Sequence, residues 1–193
     1  FAGGIAGSNR AGTNGQIGTI TGCTNTAGQT GNIFTVYATN GNAGGIAGSN
    51  ESGAQIVDSV VGGVKIGVAK CDAAGIAANN FGIIQGGTVG SCDITFATVS
   101  KNAAIDFDRP SSIGGGIAGK NAGTIGNCNV NSPALNLSGL TARADSISLG
   151  GAAGVNTQDA TISETTVTLN ITDNLNKYKN LGGVAGENAG GGT

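Results

Sequence analysis

One phrase recurs six times along this chain of 193 residues, and it restricts the fold more than anything else in the sequence. It reads Gly3-Gly4-Ile5-Ala6-Gly7-Ser8-Asn9, Gly44-Gly45-Ile46-Ala47-Gly48-Ser49-Asn50 and, more loosely, Ala74-Gly75-Ile76-Ala77-Ala78-Asn79-Asn80. It returns as Gly115-Gly116-Ile117-Ala118-Gly119-Lys120-Asn121, Gly150-Gly151-Ala152-Ala153-Gly154-Val155-Asn156 and Gly182-Gly183-Val184-Ala185-Gly186-Glu187-Asn188. Successive starts lie 41, 30, 41, 35 and 32 residues apart. A period of this size is the mark of a repeat architecture in which each unit buries its apolar face only against its neighbours. The units are coils over residues 3–43, 44–73, 74–114, 115–149 and 150–181, with a partial sixth over 182–193.

Two further segments accompany the phrase in each coil. One is an aliphatic residue, two spacers, a small residue and usually another aliphatic: Ile20 and Cys23; Ile56, Ser59 and Val61; Val89, Cys92 and Ile94; Ile125, Cys128 and Val130; Ile162, Thr165 and Val167. The other alternates with period two, as a half-buried strand does: Phe34, Val36 and Ala38; Val64, Ile66 and Val68; Ile94 and Phe96; Leu135 and Leu137; Val167, Leu169 and Ile171. Thirty-eight glycines weigh against helix, since each costs a helix roughly 1 kcal/mol relative to Ala. The pattern predicts an all-β parallel solenoid with about three short strands per coil. Within the phrase, strict alternation places Ile5 and its equivalents in the core, with Gly4 and Ala6 on the other face. The phrase-end residues Asn9, Asn50, Asn80, Asn121, Asn156 and Asn188 are expected at a corner in register, because Asn tolerates left-handed backbone and can stack its amide on the next coil's.

Chemistry is sparse. Histidine is absent, which removes Ser-His and Cys-His nucleophile pairs and every His metal ligand; neither a cofactor nor a metal site is expected. Nine basic residues against eleven acidic give no footprint for nucleic acid. No apolar run approaches the roughly 18 residues of a spanning helix, so no membrane insertion is expected in this segment. The phrase opens and closes the chain, which reads as a segment of something longer. Cys23, Cys92 and Cys128 share a repeat position with Ser59 and Thr165, as a small buried side chain would; on this reading Cys92 and Cys128 stack, buried and reduced. The one dense charged cluster is Asp106, Asp108 and Arg109, in the insertion that lengthens the third coil. Two carboxylates beside a guanidinium can bind a cation or a sugar, although such a loop is more often a solvated excursion pinned by its own Asp-Arg pair.

The stretch GGIAGKNAGTIGNC, from Gly115 to Cys128, resembles the GLUG repeat of large bacterial surface and secreted proteins. The resemblance extends over all five coils and is poorest in the third. It implies an extracellular or cell-surface setting and a non-catalytic, adhesive or structural role with a host glycan or protein as partner, and it brings no catalytic residue. Two other roles stay open at this point: a substrate-binding solenoid attached to an enzyme such as a peptidase, and a subunit that assembles with neighbouring copies of itself.

Overall fold

The computed structural model describes residues 1–26, 34–38, 41–68, 72–90, 92–96, 112–136, 147–172 and 179–193. The described residues form a parallel β-solenoid, in which each ladder collects the same segment from successive coils. A leading ladder joins Ala2–Gly3, Ala43–Gly44, Ala73–Ala74, Ser112–Gly115, Ile147–Gly150 and Asn180–Gly182. An asparagine ladder joins Ala6–Asn9, Ala47–Asn50, Ala77–Asn80, Ala118–Asn121, Ala153–Asn156 and Ala185–Asn188. Next come an isoleucine ladder (Gly18–Thr21, Ala54–Val57, Ile83–Gln85, Thr124–Gly126, Thr161–Ser163) and a valine ladder (Thr24–Thr26, Val60–Gly62, Thr88–Val89, Asn129–Asn136, Thr166–Thr172). A fifth sheet pairs Phe34–Ala38, Val64–Val68 and Cys92–Phe96.

The strands are finer than three per coil. In each of the first three coils the described residues hold five, because two of the expected segments break in the middle. The first break falls inside the phrase. At Gly45-Ile46 the chain bends, and the backbone N–H groups of Ile46 and Ala47 both donate to the Ile76 carbonyl at 3.0 Å. The same double donation reaches the Ile117 carbonyl from Ile76 and Ala77, and the Ala152 carbonyl from Ile117 and Ala118. This bend overturns the expected alternation: Ile46 and Ala47 are both fully buried in one core, as are Ile76 with Ala77 and Ile117 with Ala118. Small residues serve the bend by letting its two arms approach. A Cβ added at Gly115 would overlap the Ala118 carbonyl, and one added at Gly119 would lie 3.1 Å from the Ile113 carbonyl oxygen.

The second break follows the isoleucine ladder. Gly22, Asp58, Gly86, Asn127 and Glu164 occupy one register position and all have positive φ, at 60°, 50°, 65°, 50° and 47°. Glycine, Asp and Asn enter this left-handed region at least cost, so this column is the true αL corner. The six phrase-end asparagines are not there. They sit in extended strands, and their reason for recurring is the side chain alone.

The corner also corrects the third coil. Ile84 pairs with Ile56 and Ile125, and Val89 pairs with Val61 and Val130. The aliphatic, small, aliphatic triplet there is Ile84, Gly87 and Val89, five residues ahead of the expected one. Cys92 instead pairs with Val64 in the fifth sheet, so it does not stack on Cys128. Across the coils the core is one continuous cluster of Ile46, Ile76, Ile117, Ile56, Ile84, Ile125, Val61, Val89, Val130, Val36, Ile66 and Leu149 with the phrase alanines between them.

Candidate functional site

Two polar features stand out, one structural and one reactive in composition. The structural feature is the column of phrase-end amides. Asn9 Nδ2 donates to Asn50 Oδ1 at 2.9 Å, Asn50 to Asn80 at 2.8 Å, Asn80 to Asn121 at 2.8 Å, Asn121 to Asn156 at 2.8 Å and Asn156 to Asn188 at 2.9 Å. Each interior Nδ2 spends its second hydrogen on a backbone carbonyl of the isoleucine-ladder side, such as Ile83 for Asn50, Thr124 for Asn80 and Thr161 for Asn121. Asn50, Asn80 and Asn121 are fully buried. A buried amide pays a desolvation penalty unless each hydrogen finds an acceptor, and this column meets that condition in every interior coil.

The cysteine position has a similar logic. Cys128 Sγ lies 3.2 Å from the Gly126 carbonyl oxygen, Ser59 Oγ 3.2 Å from that of Val57 and Thr165 Oγ1 2.8 Å from that of Ser163. Cys, Ser and Thr interchange here because each can donate to the carbonyl two residues back, across the left-handed corner. Cys23 and Cys128 are free thiols, and burial pushes the Cys128 thiol above its ordinary value. A buried, protonated thiol is a poor nucleophile. Cys71 and the cluster Asp106, Asp108 and Arg109 lie outside the described residues.

The reactive feature was not foreseen from the sequence. Asn42, Asp72, Asn79 and Lys120 come from successive coils and meet in the cleft outside the bend, all half-buried. With its amide nitrogen turned toward Asp72, Asn79 donates to Asp72 Oδ2 at 3.0 Å and to the Ala78 carbonyl at 3.2 Å, while its oxygen accepts from Asn42 Nδ2. Asp72 N–H donates to Asn42 Oδ1 at 3.2 Å. Lys120 is the direct ladder partner of Asn79. Burial raises the Asp72 carboxyl to about 6, opposed by the charge of Lys120 and by a hydrogen bond from the Ile113 backbone.

That elevation has a testable sign. Between 3.8 and about 6 the folded chain holds a proton that the unfolded chain has released, so Asp72 makes stability fall as pH rises through this window. The melting temperature of the native chain, measured against that of Asp72→Asn, is expected to rise as the pH is lowered from about 7 to about 5. A difference that stays constant over the window would mean that Asp72 is not buried as described.

Among the described residues no group of three or more His, Cys, Asp or Glu side chains is placed to hold a metal ion. No protein-family model, curated protein or solved structure matches the chain, so the likeness to GLUG repeats rests on the repeated phrase itself.

Proposed function

We propose that this chain is a non-catalytic structural or adhesive repeat region of a bacterial cell-surface or secreted protein, a rigid solenoid that presents its variable corner loops to a host glycan or protein. The observation that carries the reading is the unbroken amide column over the continuous aliphatic core: the same hydrogen-bonded column is rebuilt coil after coil while the coil length varies. Such a design gives length and stiffness from nearest-neighbour interfaces and leaves the intervening loops free to differ. The phrase's resemblance to GLUG repeats supports the extracellular setting, as does a surface with few charges of either sign.

The binding element of this proposal is the Asp106, Asp108 and Arg109 insertion. The chain is expected to bind members of a glycan array without cleaving any of them, and Asp108→Asn is expected to weaken that binding while leaving the melting temperature nearly unchanged. Release of polysaccharide fragments by the native chain, abolished by a single acidic substitution, would replace this reading with an enzymatic one. Unfolding of the rod by Asp108→Asn would remove the loop from the role of a binding element.

A further inference from the structure

We propose that Lys120 and Asn79 form an intramolecular isopeptide bond, with Asp72 carrying the protons between them. Two groups touch the Asn79 amide as an acyl transfer would need them, and an amine is carried by its ladder partner. The carbonyl oxygen accepts a hydrogen bond from Asn42 Nδ2, which polarises the carbon and stabilises negative charge on that oxygen when the carbon becomes tetrahedral. The amide nitrogen, which must leave, lies 3.0 Å from Asp72 Oδ2, within reach of a carboxylic proton. Lys120, which carries the amine, occupies the paired position of the adjacent strand, from which side chains leave the sheet on the same face. Asp72 itself packs against Gly119, the residue before Lys120, where a side chain would come within 3.1 Å of Asp72 Cβ. Glycine at that position keeps acid and amine in one cleft.

The atoms balance without any co-reactant. The step starts with one proton passing from the Lys120 ammonium to the Asp72 carboxylate, which leaves an amine lone pair and a carboxylic acid. The Nζ lone pair adds to Asn79 Cγ, forming the N–C bond and placing charge on Oδ1 against the Asn42 amide. Asp72 gives its proton to Nδ2, the Cγ–Nδ2 bond breaks and ammonia departs. The surplus proton on Nζ returns to Asp72 and leaves with the ammonia as ammonium. The product is a secondary amide between neighbouring coils, with no oxidation or reduction at any atom. Ladder pairing keeps amine and amide within side-chain reach of each other, which turns the attack into an intramolecular step.

The bond would close a covalent loop over the third coil, whose 41 residues share with the first coil the longest spacing in the chain. It goes beyond the proposed adhesive role, since a spacer without it would still be a spacer, and it explains a departure from the repeat that the stacking does not. Elsewhere the column holding Asn79 and Lys120 carries Ser8, Ser49, Val155 and Glu187, and the column holding Asp72 carries Phe1, Asn42, Ile113, Ser148 and Asn180. Lys179, Asn180 and Glu187 also meet at the last coil, but among the described residues only Asn79 and Lys120 place an amide and an amine as direct ladder partners.

Intact-mass measurement of the purified 193-residue chain, followed by proteolysis and fragment sequencing by tandem mass spectrometry, tests the bond directly. The expected result is a mass lower than that of the sequence by one ammonia, together with a branched peptide joining residues 79 and 120. Lys120→Arg and Asp72→Asn should each restore the full mass and yield linear peptides only. A native chain of full sequence mass would overturn the proposal. So would ammonia loss confined to a linear peptide, which is the signature of a succinimide at an asparagine, or ammonia loss that persists in Lys120→Arg. The mass of the native chain is sufficient by itself even if a variant fails to fold.

Discussion

Gly116→Ala is expected to destabilise the rod by about 3 kcal/mol or more, above the usual cost of overpacking a core, because the nearest obstacle is a backbone carbonyl that cannot rotate away. A Cβ at this position would overlap the Gly151 carbonyl of the next coil and would stand 2.9 Å from Val130 Cγ1. The second glycine of the phrase is present in all six copies, at Gly4, Gly45, Gly75, Gly116, Gly151 and Gly183, whereas the first and third phrase glycines are replaced in the third coil by Ala74 and Ala78. Each of Gly45, Gly75, Gly116 and Gly151 faces the carbonyl of its successor one coil on, and Gly183, in the last coil, has nothing within 4 Å. Gly183→Ala is therefore the matched control and should leave the melting temperature near that of the native chain. A drop of about 6 °C or more in Gly116→Ala, with little change in Gly183→Ala, is the expected pair of results in a thermal unfolding experiment. Equal melting temperatures for the two variants would refute the stacking of one glycine on the next coil's carbonyl.

The second large effect belongs to the amide column. Asn121→Ala removes the acceptor of Asn80 and the donor to Asn156 and Thr161 together. Asn80 keeps its bond to the Thr124 carbonyl, but the Asn156 oxygen loses its partner while almost fully buried. A buried group stranded in this way costs about 1–3 kcal/mol, and with groups affected on both sides the loss should lie at the upper end. Asn188→Ala, at the exposed end of the column, should cost much less. Chemical denaturation of the two variants tests the difference; similar losses at mid-column and at the end would mean that the amides contribute little beyond their individual strands.

The solenoid was legible because its determinants repeat at fixed places: the phrase marks each coil, and the aliphatic residues at Ile56, Ile125 and Ile162 mark each following strand. The third coil slipped because two overlapping triplets satisfy the same spacing. Val89, Cys92 and Ile94 match the pattern as well as Ile84, Gly87 and Val89 do, and only the corner tells them apart, since Gly86 supplies the left-handed residue that must precede the small one. The split of the phrase into two strands was hidden for a different reason. A bend at Gly45-Ile46 needs no residue at positive φ, so it leaves no mark beyond small side chains that a flat strand also accepts. The Asn42, Asp72, Asn79 and Lys120 cluster was not legible, because although Asn42 with Asp72 and Asn79 with Lys120 are equivalent positions of successive coils, only the bend inside the phrase brings the two columns against each other.

The asparagine column gives the rod a direction. Every amide in it points the same way, nitrogen toward the C-terminal coil and oxygen toward the N-terminal one, from Asn9 through to Asn188. Aligned amide dipoles in a poorly polarisable interior reinforce one another along such a chain. Partial negative charge therefore gathers where Asn9 Oδ1 begins the column and partial positive charge where Asn188 Nδ2 ends it on the Gly192 carbonyl. Two ends built from the same repeated phrase are electrically opposite, and a coil added at one of them would meet a different field from a coil added at the other.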